Sequence, residues 1–404
     1  MKDAPRTPPP GQLNYLLSII ATSTFAGSLS ARAMDPVLPQ VSADLLVTIQ
    51  TAATLASAFA FTFAMVQPAL GIIGDIFGKP RLIFVCLILL AGANIVGAFS
   101  TSFEVLLITR VLAGVGGGGI FPITLGLVGD LFPLRERQVA MGRVLAGAMT
   151  GNLLGASFAG IVGDYVGWRG VLSSIGGVVL LASLAVAWGF RSQMGSSGKR
   201  VDARAIARNY RRILAHPHAR ISYLGVFVEG ICIMGLFPFI AAFLQELGEP
   251  RLSIAGLVIG GFAIGGLLYA ASIARLLGLI GMLPLMTVGA TLAAAQIVFI
   301  ALGPSWPWQF ASCMLMGLGF FLIHGSFQVV TSEILPEARA GAVSLQAFCF
   351  FCGQFTGPLL YGFGVLHAGK IPTLFAAAAL LLVIGVACPL LLRQPVENDS
   401  ASKT

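Results

Sequence analysis

The sequence has 404 residues, 57% of them hydrophobic and only 10% charged, with a mean hydropathy of +0.91. Soluble domains carry about 25% charged residues, so a soluble enzyme or a nucleic-acid-binding domain is excluded and a membrane protein is expected. The net charge of +8 then points to a lipid-facing surface, and fifty glycines suit helices that pack closely in a bilayer.

Residues 1–12 hold Lys2, Arg6 and three consecutive prolines, which predicts an unstructured polar lead with no signal-peptide cleavage pattern after it. The apolar run 13–33 is long enough to cross a hydrocarbon core of about 30 Å and is read as a retained helix 1. Further spans are predicted at 51–73, 82–99, 103–128, 139–162, 170–190, 221–244, 254–276, 282–302, 308–330, 342–366 and 372–392. That makes twelve, and an even count puts both termini on one side. Nineteen basic residues then fall on the terminal side, against Arg32, Arg169, Arg251 and Lys370 on the other, with Arg110 inside a span. By the positive-inside rule both termini are cytoplasmic, in a multi-pass protein of the cell (inner) membrane.

The longest connection, 191–220, divides the spans six and six. The expected organisation is a lead (1–12), a six-helix bundle (13–190), a basic linker (191–220), a second six-helix bundle (221–392) and a cytoplasmic tail (393–404). Within the linker Ile206, Tyr210 and Ile213 recur at helical spacing, while Arg204, Arg208, Arg211 and Arg212 take the other faces. This fits a basic helix on the inner lipid surface or a solvated linker.

The halves repeat each other. Gly114, Gly116, Asp130 and Pro133 return 203 positions later as Gly317, Gly319, Glu333 and Pro336; Gly151, Gly155 and Gly160 return after 202 as Gly353, Gly357 and Gly362. Two such halves, related by an axis along the membrane normal, are the arrangement in which a midplane site lies between rocking bundles.

Between the second and third spans, Gly71, Gly74, Asp75, Gly78, Lys79 and Pro80 set a carboxylate and a cation on a glycine-rich turn. The spacing resembles the loop between helices 2 and 3 of the major facilitator superfamily. Arg110 followed by Leu112-Ala113-Gly114-Val115-Gly116 resembles that superfamily's buried-arginine motif. Gly147, Gly151, Gly155 and the stretch Gly163-Asp164-Tyr165-Val166-Gly167-Trp168-Arg169 resemble the glycine motif of its drug:proton antiporter branch, although Asn152 stands where that branch usually has proline. Met34-Asp35-Pro36-Val37-Leu38-Pro39 resembles a helix-1 exit signature of the same branch.

The resemblance implies an all-α membrane protein of twelve transmembrane helices in two pseudo-symmetric six-helix bundles. It also implies a cavity lined by helices 1, 4, 7 and 10 and export by proton antiport through alternating access. Asp75, Lys79 and Asp130 form a candidate latch that biases two states by about 1 to 3 kcal/mol. The corresponding stretch 271–282 keeps Gly278 and has Arg275 in place of Asp75, so the latch is expected to be asymmetric.

Ionisable groups at lipid depth are costly and usually face a cavity. Glu229 lies about nine residues into helix 7, about 13 Å deep at 1.5 Å per residue, which fits a proton carrier or a neutral structural carboxyl. Arg110 fits a partner of helix carbonyls or a group tuning a proton-carrying acid. His324 fits a packing residue or a proton relay, and Asp35 a solvated acid at the outer end of helix 1 or, if that helix breaks, an acid of the outer cavity.

The six cysteines all fall inside predicted spans, the four histidines are scattered, and there is no Gly-x-x-x-x-Gly-Lys-Ser/Thr loop. No metal, cofactor or catalytic centre is expected. Phe25, Phe227, Phe237, Phe239, Phe320, Phe321 and Phe327, with Asn14, Gln67, Asn152, Gln328 and Gln354 for orientation, suit a small, largely apolar organic substrate. The partners expected are that substrate, protons and lipid, with no nucleic acid, and the chain is expected to be a monomer. Uptake or facilitated diffusion of a nutrient, and a non-transporting receptor or lipid enzyme, are the other readings.

Overall fold

The structure is a computed structural model that describes residues 10–191, 194, 203–335 and 338–393; within the helices the side chains of some residues, including Asp75 and Arg204, and the surroundings of Gly71 lie outside the described set, as does Pro336. The helices in order are α1 (Pro10–Leu29), α2 (Leu38–Asp44), α3 (Ile49–Phe77), α4 (Lys79–Ala98), α5 (Phe103–Leu131), α6 (Leu134–Gly189), α7 (Ala203–Ala215), α8 (Pro217–Cys232), α9 (Phe237–Glu246), α10 (Leu252–Ile280), α11 (Met282–Ala301), α12 (Trp306–Glu333), α13 (Arg339–Ala368) and α14 (Lys370–Leu392).

Two spans are broken and one helix is double. Span 1 runs through α1, two 3-10 turns (Ser30–Arg32 and Asp35–Val37) and α2; span 7 runs through α8, the turn Met234–Leu236 and α9. Pro36 and Pro238, 202 positions apart, each lack the N–H that a continuous helix needs and open both breaks at the same register. The first span therefore ends at Asp44 rather than at residue 33, because proline bends it without stopping it. At 56 residues α6 would be about 84 Å long if straight, and it folds into spans 5 and 6 at Gly167, where φ is +77°. Among the described residues ten helical stretches are long and apolar enough to span. Counting α6 as two crossings and adding the first span gives twelve.

Left-handed turns punctuate both halves. Gly78 (φ +89°) separates α3 from α4 and Gly281 (φ +76°) separates α10 from α11; Gly167 has its counterpart in Gly369 (φ +89°). Only glycine adopts such angles without strain. This register corrects one expectation: Gly78 pairs with Gly281, so the position equivalent to Asp75 is Gly278, and Arg275 lies one turn earlier.

Close backbone approach builds each bundle. Gly147, Gly151 and Gly155 of α6 lie over the carbonyls of Ala21, Phe25 and Leu29 of α1, where an added Cβ would stand 2.7, 2.4 and 2.6 Å from oxygen. Gly353 and Gly357 of α13 repeat this over Phe227 and Ile231 of α8, at 2.0 and 2.8 Å. Asn152 points away from this seam, exposed, and its amide donates to its own helix at Ala148 (3.2 Å).

The bundles meet through α3 with α13 and α6 with α10. Among the described residues, the hydrogen bonds that join them lie in the membrane half away from the termini. They run from Arg32 to Met234, from Ser157 to the Gly256 carbonyl, and from the N–H groups of Leu252 and Ser253 to the Asp164 carboxylate (2.7 and 2.8 Å). That end is sealed.

The linker helix α7 docks on the second bundle. Ile213 is fully buried in a cluster with Tyr223, Ala342 and Leu345, and Tyr210 packs against Gly341. Tyr210 and Ile213 thus lie on protein instead of lipid, the side chain of Ile206 lies outside the described residues, and Arg208, Arg211 and Arg212 remain exposed.

Gly151→Val is expected to cost at least about 1 to 3 kcal/mol through backbone displacement. Gly142→Ala, at a site with nothing within 4 Å, is expected to change stability by less than about 0.5 kcal/mol. Thermal unfolding of the two purified variants in detergent checks the pair; equal stability would refute the seam's role.

Candidate functional site

The site begins with two helices in contact, α8 and α12. α8 carries Glu229 on the last regular turn before its break, fully buried, and α12 carries His324. Glu229 Oε2 and His324 Nδ1 are 3.0 Å apart, the imidazole side chain is 22% exposed, and Glu229 Oε1 has no partner in the protein. The carboxylate therefore sits behind the ring, and the ring faces accessible space. A group in that space reaches Glu229 through His324.

Aromatic rings hold the imidazole. Phe320 stacks on it with centroids 5.0 Å apart and planes at 17°, and Phe350 meets it at 5.0 Å and 66°. From Phe350 the contacts run to Phe351 (5.3 Å) and on to Phe63 of the first bundle (4.3 Å), with Phe61 and Phe355 paired beside them (5.0 Å). Offset and edge-on rings make an adaptable apolar wall. Of the phenylalanines named from sequence, Phe320 stacks on the imidazole and is buried, as are Phe237, Phe239 and Phe327, and Phe25, Phe227 and Phe321 are half-buried.

Asp35 is neither a solvated loop acid nor free. It is 2% exposed in the break of span 1, and Arg32 Nη1 donates to it at 3.4 Å. The same guanidinium lies 4.9 Å over the Phe237 ring and donates to Met234 Sδ, both at the break of span 7. Its charge is shared between a carboxylate of one bundle and an aromatic face of the other. Asp35 thus belongs to the contacts between bundles away from the termini, apart from the Glu229–His324 pair.

Arg110 is buried, and its partner among the described residues is a side-chain amide, neither a helix carbonyl nor an acid. Its Nη2 donates to Asn94 Oδ1 (2.9 Å), while Asn94 Nδ2 donates to Ser30 Oγ (3.2 Å) and to the Leu90 carbonyl (2.8 Å). The chain links α5 to α4 and to the first 3-10 turn of span 1. Asn94 was missed from sequence because one asparagine in an apolar span has no periodic signature.

The glycine turn behaves differently again. Gly78 caps α3 through its N–H to the Gly74 carbonyl (3.1 Å), and Lys79 Nζ donates to Asp130 Oδ2 (2.5 Å) and to the Gly126 carbonyl (3.3 Å). This pair ties α4 to α5 inside the first bundle, so it does not itself cross to the second. The α3 backbone includes Gly71 and Asp75, but the Asp75 side chain lies outside the described residues.

Among the described residues no group of three or more histidine, cysteine or carboxylate side chains could hold a metal, and the six cysteines are unpaired. The arrangement can move protons and accommodate an apolar body; it presents no nucleophile with an activating base.

Residues 20–345 match the sequence signature described as Major Facilitator Superfamily. The chain belongs to this superfamily. Among relatives, Multidrug resistance protein 1 of Bacillus subtilis (strain 168) is 20% identical over 390 residues, covering 96% of this chain and 99% of that protein. Quinolone resistance protein NorA of Staphylococcus aureus (strain MRSA252) is 21% identical over 93% of this chain and 94% of its own. The chloramphenicol resistance protein of Streptomyces lividans is 25% identical over 68% and 71%. A crystal structure of a bacterial homologue of the human lysosomal transporter Spinster, inward-facing and unoccupied, superposes with a TM-score of 0.78 at 18% identity, covering 96% of this chain and 98% of that one. The fold of this superfamily member is therefore that of a membrane transporter, in agreement with the twelve-helix, two-bundle expectation.

Asn94→Leu is expected to strip Arg110 of its partner and cost about 2 to 3 kcal/mol, because a buried charged donor is left unmet. Adding Arg110→Met should recover most of that loss. Non-additive unfolding free energies in this double-mutant cycle check the network; additive losses would refute it.

Proposed function

We propose that this superfamily member exports a small, largely apolar organic compound from the cytoplasm by proton antiport, with the Glu229–His324 pair as the proton carrier. The observation that carries the reading is the 3.0 Å contact between a fully buried carboxylate and a partly exposed imidazole inside an aromatic wall. A buried charge without a partner is costly, so whether the pair holds a proton changes the stability of any state that exposes or encloses it. Substrate against Phe350 and Phe351 competes with the proton at His324, so binding of one favours release of the other; reprotonation from the opposite side resets the pair. The drug-resistance names of the relatives support the export direction.

Two further parts serve alternating access. The outer seal, Arg32 on Phe237 and Asp164 on the start of α10, must part for release. At the terminal face, which the basic residues assign to the cytoplasm, Lys79 with Asp130, and Asp75 beside them in sequence, set the relative stability of the two states by about 1 to 3 kcal/mol. The chain works as a monomer in the cell membrane, with the first and last six spans as its two moving domains.

Everted vesicles given a panel of apolar drugs and dyes should show accumulation driven by an imposed pH gradient. Glu229→Gln should abolish the gradient-driven part while leaving substrate exchange between equal pools. Gradient-independent equilibration in the unsubstituted protein would instead support facilitated diffusion and sink the antiport reading. Asp130→Asn should shift state populations about fivefold or more, read as altered accessibility of cysteines placed at the cytoplasmic mouth; unchanged accessibility would refute the switch.

A further inference from the structure

Below the carrier pair, in the second bundle, four polar side-chain atoms have no partner in the protein. They belong to Ser222 of α8, Thr331 of α12 and Gln346 of α13, which are 0%, 0% and 3% exposed; in Gln346 both amide atoms are unmet. Buried polar groups in lipid require partners, so three such residues in one bundle are a feature to explain.

Helix register brings them together. Ser222 lies seven residues before Glu229 and Thr331 seven after His324, that is two turns, about 10.5 Å, towards the terminal face on the same side of each helix. Phe327, packed against Gly225, fixes the matching of α12 to α8 between those levels, and Gly353 on the Phe227 carbonyl fixes that of α13 to α8. Two turns before Gly353 stands Gln346, at the level of Ser222. Beyond them, at the terminal face, is a cleft of about 350 Å³ lined by His216, His218, Val330, Glu333 and Ile334 among others, and His216 Nδ1 there is also buried without a partner. Partial burial, and then neighbouring His218, lower the pKa of His216, which favours its neutral form.

We infer that Ser222, Thr331 and Gln346 bind a short file of internal water that joins the terminal-face cleft to Glu229, giving the carrier pair a proton route through the second bundle, separate from the substrate cavity. A site with several converging donors and acceptors is where buried water resides. A proton leaving Glu229 is passed by water to the hydroxyls of Ser222 and Thr331 and on to the cleft. Each hydroxyl gives its own proton onward as it takes the next, so only the carboxylate loses one and only the cleft gains one. Gln346 orients the water and is not itself protonated. The titratable groups beside the column are Glu229, His324, Tyr223 and Cys349 in the bilayer and His216, His218 and Glu333 at its mouth; Tyr223 is engaged by donation to the Ala342 carbonyl (2.9 Å), and Glu333 accepts from Arg339 (3.2 Å). The route lets the pair exchange a proton while an apolar body covers His324.

This inference rests on Glu229 being the proton carrier, and the test separates the two ideas. The full chain in liposomes is given a pH jump, and the Glu229 carboxyl stretch, assigned with Glu229→Gln, is followed by time-resolved infrared spectroscopy. A carboxyl signal that is absent, or that survives Glu229→Gln, defeats the carrier reading itself. The route is then tested in the His324→Phe background, which removes the cavity-side relay. There the Glu229 signal should persist, Thr331→Val and Gln346→Leu should each slow it at least fivefold, and Thr331→Ser should restore the rate. If either larger substitution fails to fold, Ser222→Ala carries the test at the same threshold. Loss of the signal in His324→Phe alone, or slowing of less than fivefold, overturns the route.

Discussion

In hydrocarbon every backbone and side-chain polar group must find its partner inside the protein, and the architecture of this transporter follows from how that demand is met. Most of the chain meets it with unbroken helices. The exceptions are the breaks in spans 1 and 7, and there the freed groups and the charges gather: Arg32 and Asp35 pair at the first break, and Arg32 turns its other side to Met234 and Phe237 at the second. Two pseudo-symmetric defects thus satisfy each other across the bundle interface. A contact of that kind can be made or lost as a unit, which suits a seal.

Because lipid tails are as apolar as the side chains, burial of apolar area does little to hold helices together in the bilayer, and packing has to do so. Here packing means glycine against carbonyl, repeated every four residues along α6 on α1 and echoed by α13 on α8. Such seams make each bundle stiff. Between bundles the glycine contacts are fewer and concentrated at the sealed end, where Gly160 and Gly256 meet α10 and α6. Stiff bundles with a confined interface are the mechanical condition for rocking about a central site.

The charges divide the labour by depth. Lys79 and Asp130 lie at the terminal face and are partly hydrated, so their pairing contributes little to stability. Arg110, with Asn94 and Ser30, is a buried strut that anchors the break of span 1 to α4 and α5. Glu229 and His324 combine full burial of one member with partial access for the other.

The sequence by itself determined the class and much of the frame. Scarce charge and apolar runs gave twelve spans, and glycine, with its freedom at positive φ, marked the turn at Gly78. The 202-to-203-residue repeat implied two like bundles, and the amphipathic period of α7 picked out Ile206, Tyr210 and Ile213 as its apolar face without showing that protein rather than lipid covers Tyr210 and Ile213. The tertiary structure alone decided which side chains meet. Glu229 and His324 are 95 residues apart, Arg110 and Asn94 are 16, and Asp35 is buried because span 1 continues past its prolines. A helix in lipid is apolar all round, so its sequence carries almost no record of which face looks inward. Register between helices, set by where glycine lets two backbones touch, supplies that missing direction.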